Sequence, residues 1–308
     1  MAYQIYNKII IGIDHGFGNM KTRNKIFKTG VKTYDTKPTF GNDILEFDHK
    51  FHVIGEGHKS YVADKVTDDD YYILTLAAIA EELDVLNKQT GDVVLAVGLP
   101  PVWIQNQSAS FTAYLMKNKD VSFTYHNKQY QISIDDVYVY PQGYAGIIQC
   151  LNRFTGSNIL ADIGNGTMNT IYINNGKPDA SKFYTDKLGV HQCVMKIKNE
   201  LTASTGSNVE ESLIEDFLIN NRADVSDKYL ELMRKVSKEY VKTIFERLVE
   251  YDYNSDLMKL YFIGGGGCLV KNFGSYDKAR VEIIDDICAT AKGYEYLAYS
   301  TIRSKGFR

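Results

Sequence analysis

The sequence predicts an α/β protein made of two duplicated domains, and three observations support this. An apolar, strand-like run ends at Asp14, and a similar run ends at Asp162, about half a chain later. Glycines and small polar residues follow each aspartate, and a second strand-like run comes next. In both halves, strand-rich starts are followed by helices, as in repeated α/β units.

The first half is predicted to begin with strands and to end in helices. Its predicted elements are a strand at 9–14, a returning strand at 25–31, a hairpin at 44–47 and 51–54, a helix at 71–87, a strand at 92–100, a helix at 107–117, three short strands within 121–140, and a helix from Pro141 to about Phe154. Asp68, Asp69 and Asp70 precede the first helix and are expected to cap it. Residues 32–70 are weakly patterned, which indicates a small inserted subdomain.

The second half repeats this plan. Its predicted elements are strands at 158–163 and 170–173 with a turn at Asn174-Asn175-Gly176, helices at 188–203, 209–219 and 227–251, strands at 258–263 and 281–284, and a last helix at 289–302.

Composition limits the classes of function. The 308 residues suffice for two domains, and the net charge of −3 argues against direct, non-specific binding to nucleic acid. No apolar run reaches the roughly 20 residues that span a bilayer. The N-terminus lacks a cleavable signal pattern, and the four cysteines lack metal or redox spacing, so we expect a cytoplasmic protein with reduced thiols.

The two aspartate loops are candidate sites for a metal ion and phosphate. Each carboxylate can hold Mg²⁺ through water, while glycine-rich backbone surrounds an anion. The candidate residues beside the aspartates are Gly16, Phe17, Gly18, Asn19 and Lys21 in the first loop, and Gly164, Asn165, Gly166 and Thr167 in the second. The alternative is that each aspartate only caps a tight hairpin, with Asn19 and Lys21 exposed on the returning strand.

A run of four glycines forms the third candidate element. Gly264, Gly265, Gly266 and Gly267 follow a strand and precede a helix, where close backbone approach suits a nucleotide base, ribose or α-phosphate. A flexible turn is the alternative, although four glycines carry a large entropy cost. The chain contains no Gly-x-x-x-x-Gly-Lys-Ser/Thr motif, so it is not a P-loop protein.

In this order, the motifs resemble those of the actin/Hsp70/sugar-kinase superfamily. The motifs that carry the resemblance are Ile11-Gly12-Ile13-Asp14-His15-Gly16, Asp162-Ile163-Gly164-Asn165-Gly166-Thr167, and Phe262-Ile263 followed by Gly264 to Gly267. Within that superfamily the chain is similar to the ParM/StbA actin-like proteins of plasmid segregation. That likeness includes Ile13–Lys21, Pro141–Gly146, Leu188–Val190 and Ala289–Tyr294.

The resemblance implies an actin-like fold, with two ribonuclease H-like domains around a nucleotide cleft. Domain I would span 1–155, include the insertion at 32–70, and receive the C-terminal helix at 289–308; domain II would span 156–288. The implied function is a filament-forming ATPase that uses Mg²⁺, with GTP left open as the nucleotide. Its implied partners are further copies of itself and a small DNA-binding adaptor that carries plasmid DNA, with no direct contact to nucleic acid or membrane.

The resemblance also implies roles for single residues. Gln142 stands where ParM-type proteins usually carry a glutamate that orients the attacking water, and where actin carries glutamine; alternatively, it is simply an N-terminal helix residue. Together with Asp14 and Asp162 it would form the catalytic set. Lys198 lies on the helix that would line the base pocket, or on a solvated helix face. His15 is expected to be a solvent-facing turn residue, with a protonated histidine beside phosphate as the alternative.

Four other functions compete with this interpretation. A small-molecule kinase of the same superfamily needs a carboxylate base, and the first domain's loops offer no convincing one. An Hsp70-like module needs a linker and a peptide-binding domain, which the sequence does not resemble. A degenerate structural protein conflicts with the intact aspartates and glycine loops. A bacterial cytoskeletal actin homologue that is not tied to plasmids stays open.

Overall fold

The computed structural model describes residues 3–39, 43–56 and 65–306. The chain divides into two compact units. Unit 1 is Met1–Gln149 together with Cys288–Arg308, and unit 2 is Cys150–Ile287. Parts of the predicted insertion, at 40–42 and 57–64, lie outside the described residues.

Among the described residues, unit 1 begins with ten strands and three α-helices. They are β1 (Gln4–Ile5), β2 (Lys8–His15), β3 (Asn19–Lys21), β4 (Ile26–Lys28), β5 (Val31–Tyr34), β6 (Ile44–Phe47), β7 (Lys50–Ile54), α1 (Asp70–Val85), β8 (Thr90–Leu99), α2 (Ile104–Leu115), β9 (Asp120–Tyr125), β10 (Lys128–Pro141) and α3 (Tyr144–Ile147). The strands form one sheet in the order β4-β3-β2-β8-β10-β9-β6-β7-β5, and β1 pairs with β2.

The centre of this sheet is parallel and is covered on both faces. β2 pairs in parallel with β8, and β8 with β10. Ile9, Ile11 and Ile13 pack into the core that contains α1, whereas Ile10 packs on the opposite face. Burial on both faces explains why β2 is a continuous apolar run rather than an alternating one.

Four predictions for unit 1 need correction. The run 25–31 is not one returning strand, because β3 pairs with β2, β4 pairs with β3, and β5 begins at Val31. The region 121–140 forms two strands rather than three, because β10 runs on through a register shift between Ile134 and Asp136. The helix predicted from Pro141 ends at Ile147, and 3₁₀ turns follow with non-helical dihedral angles at Cys150. At the start of α1, the Asp69 side chain forms no capping hydrogen bond; Asp68 instead accepts one from the Asp70 amide, at 3.0 Å.

Unit 2 combines a five-stranded sheet with four helices. Its elements are β11 (Ser157–Ile163), β12 (Met168–Asn174), β13 (Lys177–Asp186), α4 (Val190–Thr205), α5 (Glu211–Asn220), α6 (Asp227–Glu250), β14 (Lys259–Ile263), α7 (Gly267–Phe273) and β15 (Val281–Ile283). The strand order is β13-β12-β11-β14-β15. Asn175 and Gly176, both with positive φ, form the predicted turn after β12. The strand that follows this turn, β13, is not among the predicted elements.

The last helix, α8 (Ala289–Gly306), belongs to unit 1 and packs against backbone. A Cβ atom at Gly12 of β2 would lie 2.0 Å from the Ala291 carbonyl oxygen of α8. A Cβ atom at Gly293 of α8 would lie 1.8 Å from the Ala145 carbonyl oxygen. The helix therefore lies in main-chain contact with β2 and with α3. Of the helices within the described residues, none is long and apolar enough to cross a bilayer.

Gly12→Ala is expected to destabilise the protein, because neither β2 nor α8 can yield to a methyl group 2.0 Å from the Ala291 carbonyl oxygen. We expect a loss of about 1–3 kcal/mol in the free energy of unfolding, measured by urea titration. Gly91→Ala is the matched control in β8, since its Cβ meets only the movable end of Ile9, at 3.2 Å. Equal urea midpoints for the two variants would contradict this packing.

Candidate functional site

The carboxyl ends of three parallel strands bring the unit 1 candidates together. Ile13 of β2 pairs beside Val97 of β8, and Pro141 of β10 beside Leu99 of β8, so β2, β8 and β10 end at the same edge of the sheet. Gln142 follows β10 directly, and its backbone amide donates to the Leu99 carbonyl at 2.9 Å. Such an edge is the usual ligand-binding place of α/β sheets.

Asp14 is the centre of this group. It is 7% exposed, and its Oδ2 lies 3.3 Å from the ammonium of Lys21, which faces it on β3. Its Oδ1 accepts a hydrogen bond of 3.3 Å from Nε2 of Gln142. Lys21 is thus largely buried against the carboxylate rather than exposed on the returning strand, and Gln142 belongs to the same cluster.

The loop between Asp14 and Lys21 is tied down at several points. The Gly16 amide donates to the Asp14 carbonyl at 3.0 Å, and Thr29 donates through Oγ1 to the Phe17 carbonyl at 2.6 Å and through its amide to the Gly18 carbonyl at 3.2 Å. A Cβ atom at Gly16 would lie 2.5 Å from a backbone oxygen of the same loop, so only glycine fits there. Asn19 opens β3 at the end of the loop.

His15 does not face solvent, so that prediction is wrong. β2 continues through His15, which is fully buried; its Nε2 lies 2.9 Å from Oγ1 of Thr75 on α1, and its ring meets the Phe111 ring edge-on at 5.4 Å. Burial, and then the charge of Lys65, holds its pKa well below the usual value. The imidazole is therefore neutral and serves as a core side chain.

Lys65 is a site neighbour that the sequence analysis missed. It is 1% exposed and donates to the His15 carbonyl at 2.5 Å, beside the rings of Phe17 and Tyr71. Burial lowers the pKa of Lys65 to about 8, although the charge of Asp14 opposes the shift. Lys65 lies in the weakly patterned region, where no local motif marks it.

In unit 2, the Asp162 loop is closed by its own backbone and by the start of α4. The Gly164 amide donates to the Thr167 carbonyl at 2.8 Å. The Val190 amide donates to the Gly164 carbonyl at 3.0 Å, and the next amide of α4 donates to the Asn165 carbonyl at 2.9 Å. Gly189, just before α4, is needed there because its Cβ would lie 2.2 Å from the Asn165 carbonyl oxygen. The helix start therefore fixes this loop, which also contains Gly166.

The four glycines follow β14, which runs parallel to β11 and lies next to it. Gly264 has φ of +83°, and its Cβ would lie 2.6 Å from Oδ1 of Asp162. The Gly266 amide donates to the Ile163 carbonyl at 2.9 Å, and a Cβ at Gly266 would strike the Ile163 side chain at 2.1 Å. The glycine turn is thus packed directly on the end of the Asp162 strand.

The other two glycines of the run are less restricted. A Cβ at Gly265 meets nothing closer than Ile287, at 3.8 Å, and a Cβ at Gly267 would lie 3.1 Å from Ile283. Protein packing therefore does not account for glycine at 265.

Lys198 forms an ion pair with Glu211 of α5, with 2.8 Å between Nζ and Oε1. Both side chains are partly exposed. Its part in binding a base stays a prediction.

The candidate residues fit a magnesium ion that keeps most of its water ligands, not one held by a cluster of side chains. Among the described residues, no three His, Cys, Asp or Glu side chains lie close enough to hold a metal together. Asp14 and Asp162 are single carboxylates at strand ends, which suits an ion that keeps several waters and binds phosphate.

Two models of actin-like families match the sequence. Residues 12–144 match the N-terminal domain of actin-like proteins, and residues 160–273 match the C-terminal domain of MreB-like archaeal actin homologues. No curated protein gives a significant match.

Solved structures of actin homologues superpose on nearly the whole chain. The archaeal actin homologue Ta0583 has 18% identity and a TM-score of 0.76, with 94% of this chain and 99% of that chain covered. The subunit of a 15-stranded ParM filament from Clostridium botulinum has 17% identity, a TM-score of 0.74, and coverages of 96% and 99%. ParM of Bacillus thuringiensis, solved with ATP, has 12% identity, a TM-score of 0.70, and the same coverages.

These comparisons confirm the predicted fold. The chain has the actin-like two-domain α/β fold, and ParM proteins are among those that share it.

Gly264→Ala should disturb the Asp162 strand end, because an alanine is strained at φ of +83° and its Cβ would lie 2.6 Å from the Asp162 carboxylate. We expect a loss of about 1–3 kcal/mol in the free energy of unfolding, measured by urea titration. Gly265→Ala is the control, and its stability should match the wild type. Destabilisation of the Gly265 variant alone would contradict the described turn.

Proposed function

We propose that the protein is a nucleotide-dependent ATPase that assembles into filaments. The observation that carries the proposal is the convergence of Lys21 and Gln142 on Asp14, where three parallel strands end. A carboxylate for the metal, a cation for phosphate and an amide that can position water are the groups that phosphoryl transfer to water requires.

We assign phosphate and hydrated Mg²⁺ to the Asp14 loop of unit 1, and we propose the Asp162 loop of unit 2, taken by itself, as a second candidate for the same groups. Mg²⁺, when bound, would neutralise charge on the phosphate oxygens. Lys21 would exchange part of its interaction with Asp14 for a phosphate oxygen, and Asn19 would donate to another. In unit 2 the loop from Gly164 to Thr167 would surround phosphate, and the glycine turn would lie against the nucleoside.

Gln142 would orient the attacking water without removing its proton. A neutral amide cannot act as a base, so hydrolysis would depend on geometry and on the charge of the metal. Such a site gives slow turnover. Slow turnover suits a timer that weakens filament contacts after assembly.

Nucleotide binding and assembly are also supported by proteins with the same fold. The ParM of Bacillus thuringiensis was solved with ATP, Ta0583 was solved with ADP, and the Clostridium botulinum ParM forms a filament. We propose that this chain likewise binds a nucleotide and forms filaments. GTP is the alternative nucleotide.

We further propose that the filament acts in the cytoplasm and moves plasmid DNA through a small DNA-binding adaptor. The net charge of −3 agrees with an adaptor rather than direct DNA contact. A cytoskeletal role without plasmids is the second candidate, favoured by the archaeal homologue, whose superposition is as good as that of ParM. The test asks whether the filaments bind a small basic protein encoded beside this gene and, through it, the plasmid that carries both genes. Such binding would favour segregation. Filaments that form in cells without such a partner would favour the second candidate.

Assembly should depend on ATP and Mg²⁺. The measurement follows light scattering and phosphate release together over a wide range of protein concentration. In Asp162→Asn we expect phosphate release to fall by roughly tenfold or more, because the carboxylate that holds the hydrated metal is lost. ATP turnover with no scattering at any concentration would rule out the filament, and unchanged turnover in the variant would rule out the assigned metal site.

Gln142→Ala should slow hydrolysis and leave assembly intact. Loss of the water-orienting amide is expected to lower phosphate release by about 100-fold, because a misplaced nucleophile reacts far less often. Gln129→Ala changes an exposed glutamine of β10, the strand that Gln142 follows, and should have no effect. If Gln142→Ala instead abolishes nucleotide binding, its proposed role is wrong.

A further inference from the structure

A fully buried carboxylate in the last helix contacts both β2 and the turn between β3 and β4. Glu295 lies on α8, and its Oε1 accepts a hydrogen bond of 3.2 Å from the amide of Gly12. Its Oε2 forms an ion pair of 2.5 Å with Nε of Arg23. Neither Glu295 nor Arg23 lies within the aspartate-loop, four-glycine or other motifs described above.

The hydrogen bond from Gly12 to Glu295 fills a gap in the backbone pairing of β2, on the side where β1 and β3 lie. Beside β2, pairing with β1 involves Lys8 and Ile9, and pairing with β3 involves Asp14 and His15. The Gly12 amide lies between these two stretches, two residues before Asp14. Glu295 therefore supplies the acceptor that a neighbouring strand would otherwise provide.

The second contact holds the turn that follows Lys21. Arg23 lies in the turn between β3 and β4, two residues after Lys21, and its side chain is 16% exposed. Glu82 of α1 holds the same turn from another side, accepting from Oγ1 of Thr22 at 2.5 Å and from the Asn24 amide at 2.9 Å.

We infer that Glu295 and Arg23 are positioning residues that fix Asp14 relative to Lys21 and thereby set the affinity for the metal-bound phosphates of ATP. One carboxylate holds the backbone before Asp14 and, through Arg23, the backbone after Lys21. The inference rests on the proposed function. Without the pair, Arg23 stays partly buried with its charge unmatched, and the turn shifts.

The side chain of Gln142 contacts Asp14, but its backbone has an anchor of its own. Its backbone is held by the Leu99 carbonyl of β8, not by the β3–β4 turn. Loss of the Glu295–Arg23 pair should therefore weaken ATP binding much more than it slows hydrolysis at saturating ATP. A general loss of structure would lower both.

The pair also gives binding a specific pH dependence. Burial raises the pKa of Glu295 to about 7, although the charge of Arg23 opposes the shift; Glu82 adds a smaller upward push. The groups that face Glu295 are the Arg23 guanidinium, the Glu82 carboxylate and the Gly12 amide. The carboxylate is mostly charged at pH 8 and mostly protonated at pH 6, so the ion pair weakens as the pH falls.

The experiment measures the Kd for ATP with Mg²⁺ by titration calorimetry below the assembly concentration, and phosphate release at saturating ATP, at pH 6, 7 and 8. At pH 8, Glu295→Gln and Arg23→Met should raise the Kd by roughly tenfold, with hydrolysis at saturation changed by less than about twofold. Arg23→Lys should restore most of the affinity. The ratio of the Glu295→Gln Kd to the wild-type Kd should shrink between pH 8 and pH 6.

Arg153→Met is the matched control, since it removes the arginine of an exposed ion pair with Glu282. Wild-type Kd values in both Glu295→Gln and Arg23→Met, or an equal loss of affinity and hydrolysis, would overturn the inference. If Glu295→Gln does not fold, the Arg23 variants decide it alone. A wild-type protein that binds no ATP would overturn the proposed function itself, and the inference with it.

Discussion

The main-chain contact of α8 with the centre of the unit 1 sheet is the constraint on which the candidate site depends. Gly12 lets β2 approach α8, and Gly293 lets α8 approach α3, so closely that a side-chain methyl group at either glycine would strike a carbonyl oxygen. At Gly98 of β8 a Cβ would lie 1.8 Å from the hydroxyl oxygen of Tyr294 on the same helix. These contacts lie just before or after the loops of Asp14 and Gln142. Because such contacts have no flexible side chain to absorb a shift, the strand ends keep a fixed spacing.

Local chemistry allowed much of the fold to be predicted from the sequence. The hairpin at β6 and β7, the Asn175-Gly176 turn and the glycine turn after β14 all follow from backbone preferences that a few residues determine. Strand length was harder. β10 continues through a register shift, and no breaker residue in its sequence marks where pairing with β9 ends and pairing with β8 goes on.

The site was predictable only where its residues share a short motif. Asp14 and Lys21 face each other because they stand on paired positions of one hairpin. His15 was placed wrongly because its burial depends on α1, which begins much later in the chain. Lys65 and Glu295 were missed because each acts through a backbone group 50 or more positions away; Glu295 and Gly12 are separated by 283 positions in the sequence. No spacing rule links such positions in one sequence.

The order of the units along the chain affects how the protein is made. Unit 2 is one continuous segment, so all of its strands and helices are available as soon as Ile287 has been synthesised. Unit 1 is interrupted, and its first 149 residues must wait for α8. Until then Ile10, Val94 and Ala96 lack the cover that Tyr294 and Ala298 provide, and the Gly12 amide lacks its acceptor. On the ribosome, the segment that contains Asp14 therefore emerges before unit 2 but is completed after it, which makes this segment dependent on protection from aggregation during synthesis.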